Sequence, residues 1–235
     1  MSGLYTNGLN RAVLPLTGNE TAAFDTNLTQ GRYPESEAIS VAQLATALSS
    51  NPSWVTGRFY GLPDGTTPVA VLTVTGTLYA YPVVIPSVVT IKTLNISVTT
   101  GQTGGAAHFG IYADNGAGYP GTLVYDSGSV TGLTSTAVVT NTLSSTLTLN
   151  PGIYWIATTF TASGTFPSVA GITANYSVAT VAQLGSDTAA HALATSGQAA
   201  TGISVAFTYG ALPTTFTSGA TLTLNAATPL LAVGV

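Results

Sequence analysis

After Trp54, apolar and polar positions alternate with a period of two, in short runs broken by Gly, Asn and Pro. Successive side chains of an extended chain point to opposite sides, so this period predicts strands with one or both faces buried. Val69 to Thr75 sets Val69, Val71 and Thr73 against Ala70, Leu72 and Val74. Thr77 to Ile85 and Val88 to Thr99 are further β-branched runs, parted by Pro86. Pro82 inside the first of these predicts an edge strand or a split strand, because proline donates no hydrogen bond to a ladder. Further strands are expected at His108–Ala113, Thr122–Asp126, Thr136–Leu149 and Ile153–Phe160, with a turn at Asp114–Gly121 and a flexible hairpin tip at Gly101–Gly105.

The run Gly152-Ile153-Tyr154-Trp155-Ile156-Ala157 puts Ile153, Trp155 and Ala157 on one face and Tyr154, Ile156 and Thr158 on the other. Both faces are apolar, so this strand is expected in the centre of a sheet. Residues 162–200 predict a long loop excursion with a short helix near Ser186–Ala194, and two strands, Gly202–Tyr209 and Ala220–Leu224, close the chain, with Pro229–Val235 offering a third. The expected fold is all-β: an antiparallel sandwich of jelly-roll type, with the strands of His108–Ala157 at its centre.

The first 56 residues have another texture. Four glycines and four asparagines before residue 33 leave room only for short extended pieces such as Arg11–Leu16 and Ala22–Asp25. An extended arm is the expectation, an irregular first layer of the main domain the alternative. Over Ser40–Leu48, Val41, Leu44, Ala45 and Leu48 fall at i, i+3, i+4 and i+7, one apolar stripe on a short helix capped by Ser40. So short a helix is marginal alone and needs a surface to dock on. The domain division is therefore an anchoring arm over residues 1–56 and a sandwich over 57–235.

Composition sharpens this picture. Charged residues are only 5% of the 235, against roughly a quarter in an ordinary domain, and the mean hydropathy is +0.41. Little charge keeps copies of such a chain apart, so partners or Thr, Ser, Asn and Gln are expected to cover its surface. Seven of the twelve charges, Arg11, Glu20, Asp25, Arg32, Glu35, Glu37 and Arg58, lie in the first 58 residues. Four scattered basic residues against eight acidic ones offer no phosphate-binding patch, so nucleic-acid binding is not expected. No apolar run is long enough for a membrane helix, and the opening MSGLYTNGLNRAVLPL lacks the order of a secretory signal. With no cysteine, disulfides, thiolate catalysis and cysteine zinc sites drop out together.

Candidate chemistry is sparse. Asp64, Asp114, Asp126 and Asp187 are too scattered to suggest the facing carboxylates of a glycosidase, and Asp114 and Asp126 read as turn and strand-end residues. Asp114-Asn115-Gly116-Ala117-Gly118 has a faint calcium-loop look without the alternating ligands or the closing Glu. His108 and His191 form no metal pair, and Ser127-Gly128-Ser129 has no strand-turn-helix context for a nucleophile. Neither a catalytic residue nor a cofactor or metal site is expected. Exposed aromatic rings beside polar loops are what sugar-binding sandwiches use, and Tyr79, Tyr81, Tyr112, Tyr119, Tyr125 and Tyr176 are the candidates. Asp114, Asn115 and Tyr119, in the most elaborate turn of the chain, form the expected outer contact loop.

Two stretches carry a resemblance. Leu16-Thr17-Gly18-Asn19-Glu20, then Phe24-Asp25-Thr26-Asn27-Leu28-Thr29-Gln30-Gly31, Pro34-Glu35-Ser36 and Ile39-Ser40-Val41-Ala42-Gln43-Leu44-Ala45, resemble the N-terminal portion of virion structural proteins of tailed bacteriophages. Phe109–Gly128 together with Leu149–Trp155 is similar, in architecture only, to sandwich modules of phage surface proteins. The resemblance implies a non-enzymatic head fibre, spike or decoration protein, or a tail-side fibre or adaptor, made in the host cytoplasm and built into the virion. Such proteins are frequently trimers, although no coiled coil or shaft repeat is present here. On this reading Leu16, Phe24, Asp25, Val41, Leu44 and Leu48 contact other virion proteins. The alternative is a lectin-like adhesin or tail fibre that recognises a host surface glycan.

Overall fold

Alternating residues become strands here because their apolar faces find other parts of the chain to pack against. The structure is a computed structural model and describes residues 21–24, 37–40, 53–61, 68–173, 200–224 and 227–235. The chain divides into two units, Met1–Pro52 and Ser53–Val235. In the first, β1 (Thr21–Phe24) and β2 (Glu37–Ser40) form an antiparallel pair, from Thr21 opposite Ser40 to Phe24 opposite Glu37. The extended piece expected at Ala22–Asp25 is thus present as β1. The helix expected over Ser40–Leu48 lies outside the described residues apart from Ser40, the last residue of β2.

The second unit is all-β, with no helix among its described residues and two antiparallel sheets of seven strands each. One sheet contains β3 (Phe59–Tyr60), β4 (Val69–Leu72), β6 (Val89–Thr100), β10 (Ala137–Leu149), β12 (Ser168–Thr173), β15 (Ala227–Pro229) and β16 (Ala232–Gly234). The other contains β5 (Thr77–Ile85), β7 (Ala106–Asp114), β8 (Pro120–Asp126), β9 (Val130–Thr131), β11 (Gly152–Thr161), β13 (Ala200–Ala206) and β14 (Thr221–Leu224). β6 organises the first sheet, with β10 along one side and β16 and β12 along the other. β11 organises the second, paired to β5 and to β7, as its two apolar faces require.

The main core lies between the sheets. Ile91, Leu94, Ile96 and Val98 of β6 meet Phe109 and Ile111 of β7, and Ile156 and Phe160 of β11. A second, smaller core covers the opposite face of β11: Trp155 and Ala157 pack with Leu78, Ala80, Tyr112 and Ile203, under Leu212 and Phe216. The alternation expected for Trp155 and Ile156 is therefore realised, one residue in each core. One buried tether crosses between the sheets. The Tyr81 hydroxyl donates to the Leu231 carbonyl at 2.9 Å and accepts from the Leu231 N–H at 3.0 Å.

Three expectations are corrected. β5 runs unbroken through Pro82, and its Thr77–Ala80 half is interior, paired to both β11 and β13. The β13 ladder ends opposite Ala80, so Pro82 sits where only β11 is paired and its missing N–H costs no second ladder bond. Gly101–Gly105 is not a hairpin tip but the crossing from β6 in one sheet to β7 in the other. It is pinned by Gln102 N–H to Leu133 O at 3.0 Å, and a Cβ on Gly101 would stand 2.1 Å from the Ser135 nitrogen. Residues 162–200 are not one loop excursion, since they contain β12, and the Pro229–Val235 tail supplies β16 and the end of β15. The helix expected near Ser186–Ala194 lies outside the described residues.

Candidate functional site

The β7–β8 hairpin is shaped by aspartate and asparagine side chains that bond backbone two residues ahead. At the end of β7, Asp114 Oδ2 accepts from Gly116 N–H at 2.8 Å, and Asn115 Oδ1 accepts from Ala117 N–H at 2.8 Å. Asn115 N–H then closes the loop on the Tyr119 carbonyl at 2.9 Å. Gly116 and Gly118 take φ of 85° and 78°, a left-handed backbone that other residues adopt only with strain. The other oxygen of Asp114 turns inward and accepts from the buried Trp155 indole N–H at 2.8 Å. The calcium-loop look of this segment thus has a different physical basis: its oxygens are committed to N–H donors of the chain itself.

Asp126, at the end of β8, repeats the device. Its Oδ1 accepts from Gly128 N–H at 2.9 Å and pairs with His108 Nδ1 at 2.9 Å, while Oδ2 accepts from Leu212 N–H at 2.8 Å. Both aspartates are the turn and strand-end residues expected, and each also reaches a distant segment. His108 is buried and stands edge-on to Tyr209, with ring centroids 5.1 Å apart. The nearby hydroxyls are engaged elsewhere: Ser127 Oγ accepts from Phe109 N–H and donates to Gly128 O, and Ser129 Oγ bonds the Tyr209 hydroxyl at 2.9 Å. Among the described residues no serine is hydrogen-bonded to the imidazole of the His108–Asp126 pair. Its chemistry is that of a fastener, tying β7 to β8 and to the segment that carries Leu212.

That segment forms the second wall of a cleft. Leu123 N–H donates to Thr214 O at 2.8 Å, Phe216 N–H donates to Gly121 O at 2.9 Å, and Thr122 bridges Thr215. Tyr112 holds the same wall from below, donating to Pro213 O at 3.0 Å and meeting Phe216 edge-on with centroids 5.3 Å apart. Between the hairpin loop and Thr215–Ala220 lies a cleft of about 380 Å³, bordered by Asn115 and Tyr119 on one side and by Thr215, Phe216, Thr217 and Ser218 on the other.

Of the three residues expected in an outer contact loop, Asn115 and Tyr119 line this cleft, whereas the Asp114 carboxylate serves the fold. Of the six tyrosine candidates, Tyr119 is 45% exposed, Tyr81 and Tyr112 are buried, Tyr79 and Tyr125 are half-buried, and Tyr176 lies outside the described residues. Burial raises the Tyr81 and Tyr112 hydroxyls well above the ordinary phenol range, with the Asp126 charge adding to the shift at Tyr112. The Thr215–Ala220 wall was not foreseen; its only sequence signal is the loop chemistry between Pro213 and Gly219. Among the anchoring residues, Phe24 ends β1, while Leu16, Asp25, Val41, Leu44 and Leu48 lie outside the described residues.

The described residues hold no cluster of three or more His, Cys, Asp or Glu side chains suited to a metal, and no helix long and apolar enough to cross a membrane. No protein-family model matches the chain, and no curated protein matches it as a relative.

Proposed function

We propose that this chain is a non-enzymatic structural component of a bacteriophage virion, in which residues 1–56 anchor it to other virion proteins and the sandwich projects as a decoration, head fibre or spike. The observation that carries the assembly part of this reading is the edge formed by β10. Among the described residues β10 pairs with β6 alone, and its 13 residues include no charge and no proline. Monomeric proteins guard such edges with lysine, proline or bulges, because unpaired N–H and C=O groups invite another chain. Here the one guard is a register shift between Thr142 and Leu147. Val138 on this strand and Leu72 on β4 are each 65% exposed, which adds apolar surface suited to contact with neighbouring copies. The assignment to a phage particle rests on the resemblance of Leu16–Ala45, and a homotrimer is the assembly it implies.

Deleting residues 1–50 tests the reading. The truncated protein should keep a folded sandwich, by circular dichroism and thermal melting, yet be missing from particles assembled in its presence. Particles that still carry the truncated protein would refute the anchoring role, and a monomer mass by light scattering on the full chain would refute the trimer. A second reading, a host-glycan adhesin, is favoured by one specific observation: the cleft beside the exposed ring of Tyr119.

A further inference from the structure

We infer that the cleft between the β7–β8 hairpin and the Thr215–Ala220 segment is a binding site for a neutral saccharide. The inference rests on the adhesin reading and gives it a place and a ligand class.

Among the described residues no Asp, Glu, Lys, Arg or His lines the cleft, and the carboxylate of Asp114, next to Asn115 in the loop, is committed to the Trp155 indole and the Gly116 amide. A phosphate, a carboxylated sugar or a cationic ligand would lose hydration here without gaining an ion pair. The polar groups of the cleft are of one kind, uncharged. Thr215, Thr217 and Ser218 present hydroxyls that both donate and accept, the match for sugar hydroxyls that do the same. Asn115 uses its carbonyl oxygen inside the loop, and among the described residues its amide nitrogen has no hydrogen-bond partner. Aromatic surface stands beside these polar groups. Tyr119 keeps nearly half its area exposed at the mouth, and the buried Phe216 supports the opposite wall. The C–H face of a pyranose is apolar and stacks on such a ring, whereas its hydroxyls need the polar rim.

The cleft is also held in shape by backbone hydrogen bonds. A saccharide binds weakly to a floppy loop because ordering the loop consumes the contact energy. Here the hairpin loop is closed by the Asn115–Tyr119 bond, and the Thr214–Phe216 end of the other wall is tied to it by Leu123 N–H to Thr214 O and Phe216 N–H to Gly121 O. At about 380 Å³ the cleft is near the lower end of the roughly 300–1,000 Å³ usual for small-molecule sites. It therefore takes a short terminal saccharide rather than the length of a polymer.

The test applies the full-length protein to an array of neutral and charged glycans, then measures the best neutral ligand by titration calorimetry against Tyr119→Ala and Tyr119→Phe. The expected result is binding to a neutral glycan that weakens about tenfold in Tyr119→Ala, the size of one stacked ring, and is retained in Tyr119→Phe. Both variants should melt with the parent, since the ring is at the surface. Undiminished binding by Tyr119→Ala would overturn the cleft as the site while leaving the adhesin reading intact. An array with no bound glycan would overturn both, and binding confined to charged glycans would overturn the neutral class.

Discussion

Removing the Tyr81 hydroxyl should uncouple the two sheets at a point where water cannot substitute for it. Tyr81, on β5, is 4% exposed and Leu231, in the other sheet's β15–β16 connection, is 0% exposed. The single hydroxyl satisfies both the N–H and the C=O of Leu231. Tyr81→Phe keeps the ring and its packing but leaves two buried backbone groups without that partner. At about 1–3 kcal/mol for each unsatisfied group, offset by partial relaxation, the loss should be about 2–4 kcal/mol. For a unit of this size that corresponds to a fall in Tm of about 5–15 °C. Urea unfolding followed through the buried Trp155 should show a lower midpoint with an unchanged slope. A second readout separates the hydroxyl from general loosening. Burial holds the folded-state Tyr81 hydroxyl above the phenol range of the unfolded chain, so the native state retains a proton that the unfolded state releases. The stability linked to this proton is complete below about pH 10 and declines as pH rises above it. Tyr112 contributes in the same direction, so Tyr81→Phe should flatten the alkaline decline rather than abolish it. A loss under about 0.5 kcal/mol, or an alkaline slope equal to that of the parent, would refute the reasoning.

Two further outcomes follow from the strand ends and the open edge. Asp114→Ala should cost about 1–3 kcal/mol by stranding the buried Trp155 indole N–H, and Asp114→Asn should recover most of it because the amide oxygen still accepts; thermal melts of the pair check this, and equal losses would argue against the indole bond. Val138→Lys on β10 should leave the melting temperature nearly unchanged while lowering the mass measured by light scattering, whereas an unaltered mass would show that this edge takes no part in assembly.

The period-two pattern carried most of the strand positions because burial on a pleated strand is read directly from alternation. β5 begins and ends where the β-branched run does, and the two faces of β11 separate Trp155 from Ile156 as the sequence implies. What composition could not decide was which sheet a strand joins. Gly101–Gly105 has the residues of a hairpin, yet the chain there crosses between sheets, and the cause lies some thirty positions away in the Leu133–Ser135 backbone against which Gly101 and Gly105 pack. β12 is concealed in the sequence for a related reason. Its Gly171 looks like a breaker, but a Cβ there would stand 2.5 Å from the Thr228 carbonyl, so the glycine permits a close approach of β15. The cleft was half legible. Loop chemistry around Asn115 and Tyr119 drew attention to one wall, while the other is assembled by hydrogen bonds across roughly a hundred residues.

The scarcity of charge links these features. Between Asp126 and Asp187 the chain has no Asp, Glu, Lys, Arg or His, and this stretch supplies β9 to β12. Of the acidic residues described in the sandwich, Asp114 and Asp126 are both consumed in holding loops, so neither projects a free carboxylate into the cleft or along the β10 edge. Contacts made by such a surface depend on shape, hydroxyl hydrogen bonds and apolar area, which salt screens little. The first 58 residues hold seven of the twelve charges, and contacts made there through ion pairs would weaken as salt rises. On the proposed reading, an arm that holds half of the chain's charges and a sandwich poor in charge would make contacts of different physical kind. Ionic strength should therefore discriminate among the proposed contacts of the arm, loosening any made by its charges and sparing those of Leu16, Phe24, Val41, Leu44 and Leu48.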